Sequence, residues 1–448
     1  MKNTVLTILA FLFTQQAARA QQPLVLTVDS LFSLAEANSK QLDISRYKID
    51  MAENAAAIEK QKASLPELES DFSYAYLSNA AVWDNNFRYD NTARMPHTSL
   101  DLSVAASYLV FAGKSVKNSI EKAGLEAQVA QLDFRKDKED IQFLLLAKYL
   151  DLAALHNQEK VVLENIALAE QQLSHIEKLI EQGMRTHNDR VRSELLLTEL
   201  KEKLSGVRND MTIVNHDLNV ITGLAQETVI MPDTAVLTGD IPVGPIDRYR
   251  TGYTDRLPEL KAAGVNSEIA EKQLDIVKSR RLPSVSLFAG SAVSRPFLYA
   301  MPPVDIYMHL FQTGVKVHYD IGSTYKNKKL EQQALMEETL SKKNELLIAE
   351  KAEMEIHTAY VKLQDAQEKY HSQTESFRLA KDNYRVVQQK YLNKFAVITD
   401  MVDASNSLLS AQINMNNARI GIIYQYYHLM KASGQWDAAV ESLSLNKQ

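Results

Sequence analysis

Two long stretches of this chain, Thr98 to Met231 and Val304 to Gln448, contain no proline, and within each the apolar residues recur every three and four positions. That spacing predicts long amphipathic helices. In the first stretch Val162, Ile166, Ala169, Leu173, Ile176 and Ile180 step by four and three, which is a heptad seam. A returning seam follows in Leu197, Leu200, Leu204, Val207, Met211, Val214, Leu218 and Ile221. Its counterpart in the second stretch is Met401, Ala404, Leu408, Ala411, Met415, Ala418 and Ile422. Two antiparallel coiled-coil hairpins are therefore predicted, 114–222 and 324–433, turning at Gly183 and at Asn393-Lys394. An outgoing helix of nearly seventy residues spans about 100 Å at 1.5 Å per residue.

Ahead of each hairpin the period switches to two. Phe72, Tyr74 and Tyr76 share one face, and Leu100, Leu102, Val104, Ala106, Tyr108 and Val110 oppose Asp101, Ser103, Ala105 and Ser107. Further on, Val285, Leu287 and Ala289 alternate with Ser284 and Ser286, and Phe311, Thr313, Val315, Val317 and Tyr319 with Gln312, Gly314, Lys316 and His318. Strand pairs are predicted at 67–78 with 98–111 and at 284–293 with 306–321. Each pair encloses a loop, Asn79 to His97 or Ser294 to Val304, with Trp83 or Pro302-Pro303 at its tip. One apolar and one polar face suit the wall of a water-lined barrel; the alternation suits a half-buried sheet in a soluble domain equally well. A helix precedes each pair, Asp29 to Lys62 and Thr254 to Arg280, and is stopped by Leu65-Pro66 and Leu282-Pro283, because proline disfavours helical geometry in the residue before it.

The same order thus occurs twice. Lys117-Asn118 returns as Lys326-Asn327, Tyr149 with Leu152 as Tyr360 with Leu363, Asp189 as Asp400 and Gly223 as Gly434, at an offset of about 210 residues. The predicted layout is a signal peptide at 1–20, a first repeat at 21–222, a Pro/Gly-rich linker at 223–258, a second repeat at 254–434 and a tail at 435–448. The leader rests on Lys2, the apolar run Val5 to Phe13 and the small-residue cleavage site Ala18-Arg19-Ala20. No later run of apolar residues is long enough to span a bilayer as a helix, so membrane contact would use strands.

Four strands cannot close a barrel with a usable lumen, and an open sheet edge is not tolerated in hydrocarbon. Partners from other chains are required, and three chains would supply twelve strands and twelve helices about one axis. The expected fold class is mainly α with a small β part: long antiparallel coiled-coil helices plus four strands per chain. With three chains, a number that period and spacing alone do not fix, a homotrimeric 12-stranded β-barrel would be continued by a 12-helix α-barrel.

Composition narrows the function further. With no cysteine there is no disulfide, no thiol for a lipid anchor and no thiolate metal site. The formal charge is −6, with basic residues interleaved among acidic ones, so nucleic acid is not an expected partner. Ten histidines are scattered without metal-ligand spacing, and no nucleophile motif or phosphate-binding glycine loop occurs. No enzyme activity, cofactor or metal site is expected.

At Leu65-Pro66 and Leu282-Pro283, at Val110-Phe111-Ala112-Gly113, in the turn Gly183 to Asp189 and from Tyr391 to Ala404, the chain resembles the TolC family of outer-membrane channel proteins. The resemblance covers essentially the whole mature sequence. It implies a homotrimeric exit duct in outer-membrane lipid with a long periplasmic extension. Such a duct docks with a periplasmic adaptor (membrane fusion) protein and an inner-membrane pump, for efflux of small molecules or type I secretion. It also implies a periplasmic gate of acidic rings at Asp400 and Asp403, although acidic residues in a first helical turn suit the helix dipole in any protein. The family's gate latch maps to Asp189 facing Tyr391. Two positions depart from the pattern, since Lys394 stands where glycine is usual and Ala396 where a latch arginine sits. The charge link to Asp189 would then fall to Lys394 or Arg190, and Asp189→Ala or Tyr391→Phe would raise the resting conductance. Adaptor docking would use the tips, namely Gly183, Met184, Arg185 and Thr186, with Leu392, Asn393, Phe395 and Ala396. The competing reading is a secreted or periplasmic structural coiled-coil or adaptor protein without a channel, and the strand pairs ahead of each hairpin argue against it.

Overall fold

The computed structural model describes residues 24–233, 241, 243–298, 300 and 303–445. The leader expected at 1–20, Pro302 and part of the 223–258 linker lie outside the described residues. In chain order the elements are β1 (Leu24–Leu26), α1 (Val28–Asn38), α2 (Lys40–Ser64), β2 (Glu67–Tyr76), β3 (Ala80–Trp83), β4 (Tyr89–Ala93) and β5 (Thr98–Phe111). The first long hairpin follows as α3 (Ser115–Glu181) and α4 (His187–Thr222), then β6 (Ile230–Pro232), α5 (Asp247–Arg250) and α6 (Pro258–Ser279). The chain ends with β7 (Ser284–Arg295), β8 (Met308–His318), the second long hairpin α7 (Ser323–Leu392) and α8 (Ile398–Ala432), and α9 (Trp436–Leu445). These elements fall into two compact units.

One unit comprises Tyr47–Leu132 and Ala262–Leu347. It holds an antiparallel sheet of order β2-β5-β7-β8. The register puts Phe72, Leu102 and Val293 in one row, Val104 beside Ser291 and Phe311 in another, and Tyr108, Leu287 and Val315 in a third. Because side chains alternate across a strand, all of these share a face. The opposite face carries Glu69, Ala105, Gly290 and Gln312 in one row and Asp71, Ser103, Ala292 and Leu310 in the next, and is the more polar of the two. The apolar face is bare, with Phe72, Val104, Phe311 and Val315 each more than half exposed. Neither β2 nor β8 has a strand on its outer edge among the described residues.

Gly113 makes the turn from β5 into α3 at φ +59°, and a Cβ there would lie 2.7 Å from Leu282 Cδ1 and 3.0 Å from the Ser279 carbonyl oxygen. Both the backbone and the space demand glycine. The segment expected as a plain loop at 79–97 contains the hairpin β3–β4, in which Trp83 meets Tyr89 edge-on at 5.9 Å. Strands of four and five residues, Ala-Ala-Val-Trp and Tyr-Asp-Asn-Thr-Ala, show no apolar-polar alternation to read.

The other unit comprises the residues up to Arg46, Asp133–Lys261 and the chain from Ile348 onward. Leu31, Leu145, Tyr149, Leu218, Ile356 and Trp436 anchor its largest core. Strands β1 and β6 pair in parallel across it. The buried Tyr149 hydroxyl ties the C-terminal ends of the two strands together, accepting from the Asp233 N–H at 2.6 Å and donating to the Leu26 carbonyl at 3.0 Å. Burial pushes its pKa up to about 12. The expected tail at 435–448 is a helix as far as Leu445. Trp436 at its start donates from the indole to Gln142 at 2.8 Å and packs edge-on against Phe143. The helix expected over Asp29 to Lys62 is two helices, broken where Ser39 adopts an extended backbone (φ −67°, ψ 119°).

The hairpin seams differ from the expectation of two self-contained coiled coils. Val161, Val162, Ile166 and Ala169 of α3 and Leu196 and Leu200 of α4 form one cluster with Leu409 and Ile413 of α8. The first hairpin thus shares its core with the second. Between Leu363 and Tyr391, α7 buries none of its residues, and Leu379 and Val386 stand about half exposed.

Candidate functional site

The two hairpin turns are built alike, from hydrogen bonds that close a helix C-terminus. At the first, Gly183 (φ +72°) donates to the Ile180 carbonyl at 2.8 Å and Met184 to that of Leu179 at 2.8 Å. At the second, Lys394 donates to Tyr391 at 3.1 Å and Phe395 to Lys390 at 2.7 Å. This is the left-handed helix end that glycine favours. Lys394 fills the glycine position at φ +66°, a conformation that costs a side-chain-bearing residue about 1–2 kcal/mol.

Each returning helix begins with its acid turned back onto the turn. The Asp189 carboxylate accepts from the Thr186 N–H at 2.9 Å and the Thr186 hydroxyl at 3.0 Å, while Thr186 Oγ1 accepts from the Asp189 N–H at 3.3 Å. That reciprocal box satisfies donors the helix cannot satisfy itself. Asp400 accepts from the Val397 N–H at 3.2 Å, and Val397 has no side-chain acceptor to return. Asp400 and Asp403 are both exposed, whereas Met401 and Ala404 on the adjoining face are buried. The two acids therefore project from one side of α8.

Tyr391 is 2 % exposed, packed among Ile176, Ile398 and Met401. Burial raises its pKa; nearby Arg185 opposes that shift and Asp189 adds to it. The Tyr391 hydroxyl has no hydrogen-bond partner among the described residues. What touches Tyr391 is Arg185, whose guanidinium lies 4.0 Å from the ring centroid and donates to the Tyr391 carbonyl. Nothing in the spacing announced this contact, because Arg185 reads as one more exposed tip residue. Arg190 pairs with Glu194 at 2.8 Å and reaches Glu177 at 3.7 Å, both on its own hairpin. Lys394 is exposed and makes no ion pair among the described residues.

The remaining tip positions are open. Gly183, Met184, Thr186, Leu392, Asn393 and Phe395 are exposed and Ala396 is half-buried, with Phe395 at 83 % the most exposed apolar side chain of the pair of turns. Among the described residues no group of three His, Cys, Asp or Glu side chains could hold a metal ion. No described helix is long and apolar enough to cross a membrane.

The family model described as outer membrane efflux protein matches residues 254–435. Among solved structures, the chain is similar to the outer-membrane channel OprN, at 14 % identity over 91 % of this chain and 90 % of that one, with a TM-score of 0.75. It is similar also to the outer membrane protein VceC from Vibrio cholerae, at 15 % identity over 91 % and 96 % of the two chains (TM-score 0.74). The Campylobacter jejuni CmeC outer membrane channel is a further match, at 13 % identity over 94 % and 90 % (TM-score 0.70). At these identities the likeness is one of fold. The comparison with curated proteins returned no match.

Proposed function

We propose, from the match of residues 254–435 to the outer membrane efflux protein family and the fold shared with outer-membrane channels, that this chain is one third of a trimeric exit duct. Each trimer would pass small molecules, or secreted protein, from a periplasmic adaptor and inner-membrane pump to the exterior. The observation that carries this reading is the sheet β2-β5-β7-β8. It has one bare apolar face, one more polar face and, among the described residues, two unpartnered edges. In lipid such edges must be closed by further copies, with the apolar face outward and the polar face lining water. The open stretch of α7 between Leu363 and Tyr391 is a second surface for a neighbouring chain. Exposed apolar side chains at the tips, Met184, Leu392 and Phe395, suit docking by an adaptor.

At the hairpin turns Asp400 and Asp403 of three chains would place six carboxylates around the axis, a field that selects cations. Two measurements test the proposal. The detergent-corrected mass of the particle extracted from outer membranes is expected to be that of three chains; a water-soluble monomer or dimer overturns the duct. In planar bilayers, Asp400→Asn combined with Asp403→Asn is expected to lower the cation-to-anion permeability ratio about threefold or more. An unchanged ratio removes these residues from the opening.

A further inference from the structure

Within one chain, a cation joins the tips of the two hairpins. Arg185 leaves the first turn between Met184 and Thr186, lays its guanidinium 4.0 Å from the Tyr391 ring centroid and donates Nη2 to the Tyr391 carbonyl. That carbonyl lies in the last turn of α7 and already accepts the Lys394 N–H at 3.1 Å. The guanidinium therefore also faces the negative end of the α7 dipole. On its other sides the ring is held by Ile176 of α3 and by Ile398 and Met401 of α8. Its hydroxyl is buried and unpartnered among the described residues. The face of the ring and the backbone oxygen are engaged; the phenol oxygen is not.

We propose that Arg185 is the residue that clamps the second hairpin turn in place, acting through the face of the Tyr391 ring and the end of α7 and not through the Tyr391 hydroxyl. This rests on the reading of the chain as a duct with an opening bounded by these turns. The other charged groups nearby are committed or turned elsewhere. Asp189 spends its carboxylate on Thr186, Arg190 holds Glu194 and Glu177, and Asp400 holds the Val397 N–H. Lys394, which contacts Tyr391 through its backbone, is exposed. Arginine suits the position because its flat guanidinium stacks and donates at once, which an ammonium cannot do. A cation over a ring together with a charged hydrogen bond is enough to shift a two-state equilibrium about tenfold per chain.

The test uses the full-length protein with Arg185→Ala, Arg185→Lys, Tyr391→Phe and Tyr391→Leu. Amide hydrogen exchange across Leu392 to Ala396 is measured in detergent, and resting conductance in planar bilayers. Arg185→Ala and Tyr391→Leu are expected to speed exchange there about tenfold and to raise resting conductance. Arg185→Lys is expected to fall between these and the parent, and Tyr391→Phe to match the parent in both readouts. Unchanged exchange in Arg185→Ala overturns the clamp, and Tyr391→Phe behaving like Arg185→Ala overturns it in favour of the hydroxyl. Faster exchange beside an unchanged conductance overturns its role at the opening. A parent protein that never conducts, yet shows the expected exchange pattern, upholds the clamp and sinks the duct reading.

Discussion

Glu139 is a carboxylate set against its own surroundings. It is 6 % exposed, with Arg135 one turn earlier on α3 at 3.3 Å. Arg135 is shared, since it also holds Asp437 of α9 at 2.7 Å. Burial outweighs the attraction of Arg135, Asp437 adds repulsion, and the Glu139 pKa rises from 4.5 to about 7. The folded chain then keeps a proton that the unfolded chain has released. Its contribution to stability is full below pH 4.5 and is lost progressively as pH rises through about 7. At about 1.4 kcal/mol per pKa unit, the loss by pH 8 is about 3 kcal/mol. Glutamine is a neutral near-isostere and removes the titration. Thermal melts of detergent-solubilised protein followed by circular dichroism between pH 5 and 8 should show the parent losing stability relative to Glu139→Gln. The variant should be ahead by about 2–3 kcal/mol at the alkaline end. Melting curves that run parallel across the whole range would refute the reasoning, because any other titrating group acts on both proteins alike.

Two further outcomes concern the same unit. Tyr149→Phe removes an acceptor from the Asp233 N–H and a donor from the Leu26 carbonyl, and is expected to cost about 1–3 kcal/mol in the same melts at pH 7, with a coincident melt arguing against the hydroxyl's role. Trp436→Ala opens a cavity at a side chain only 1 % exposed and is expected to cost about 3–5 kcal/mol. An unaffected melt would show that α9 is a dispensable tail after all.

Much of the fold can be read from period alone. Alternation at Leu100 to Tyr108 and at Phe311 to Tyr319 marks strands, and three-four spacing from Val162 to Ile180 marks a long helix. Those periods are fixed by backbone geometry whatever the strand or helix packs against. The turns were readable for the same kind of local reason: Gly183 ends a helix, and Asp189 and Asp400 sit three residues into the next. Short elements escaped, because β1, β6 and the β3–β4 hairpin are too brief to display a period, and α9 announces itself only through the burial of Trp436.

What the sequence determined by itself was which residues form strands and helices, which faces are apolar, and where the chain turns. Tertiary structure alone decided the pairings. The seam of α3 is shared with α8 through Leu409 and Ile413. Gly113 is pinned by Leu282 from the far half of the chain, and Tyr391 is held by Arg185, some two hundred residues away, with its hydroxyl left idle. The reason is physical: periodicity reports what each segment needs to bury, whereas the partner that buries it is chosen by the packing of all segments together.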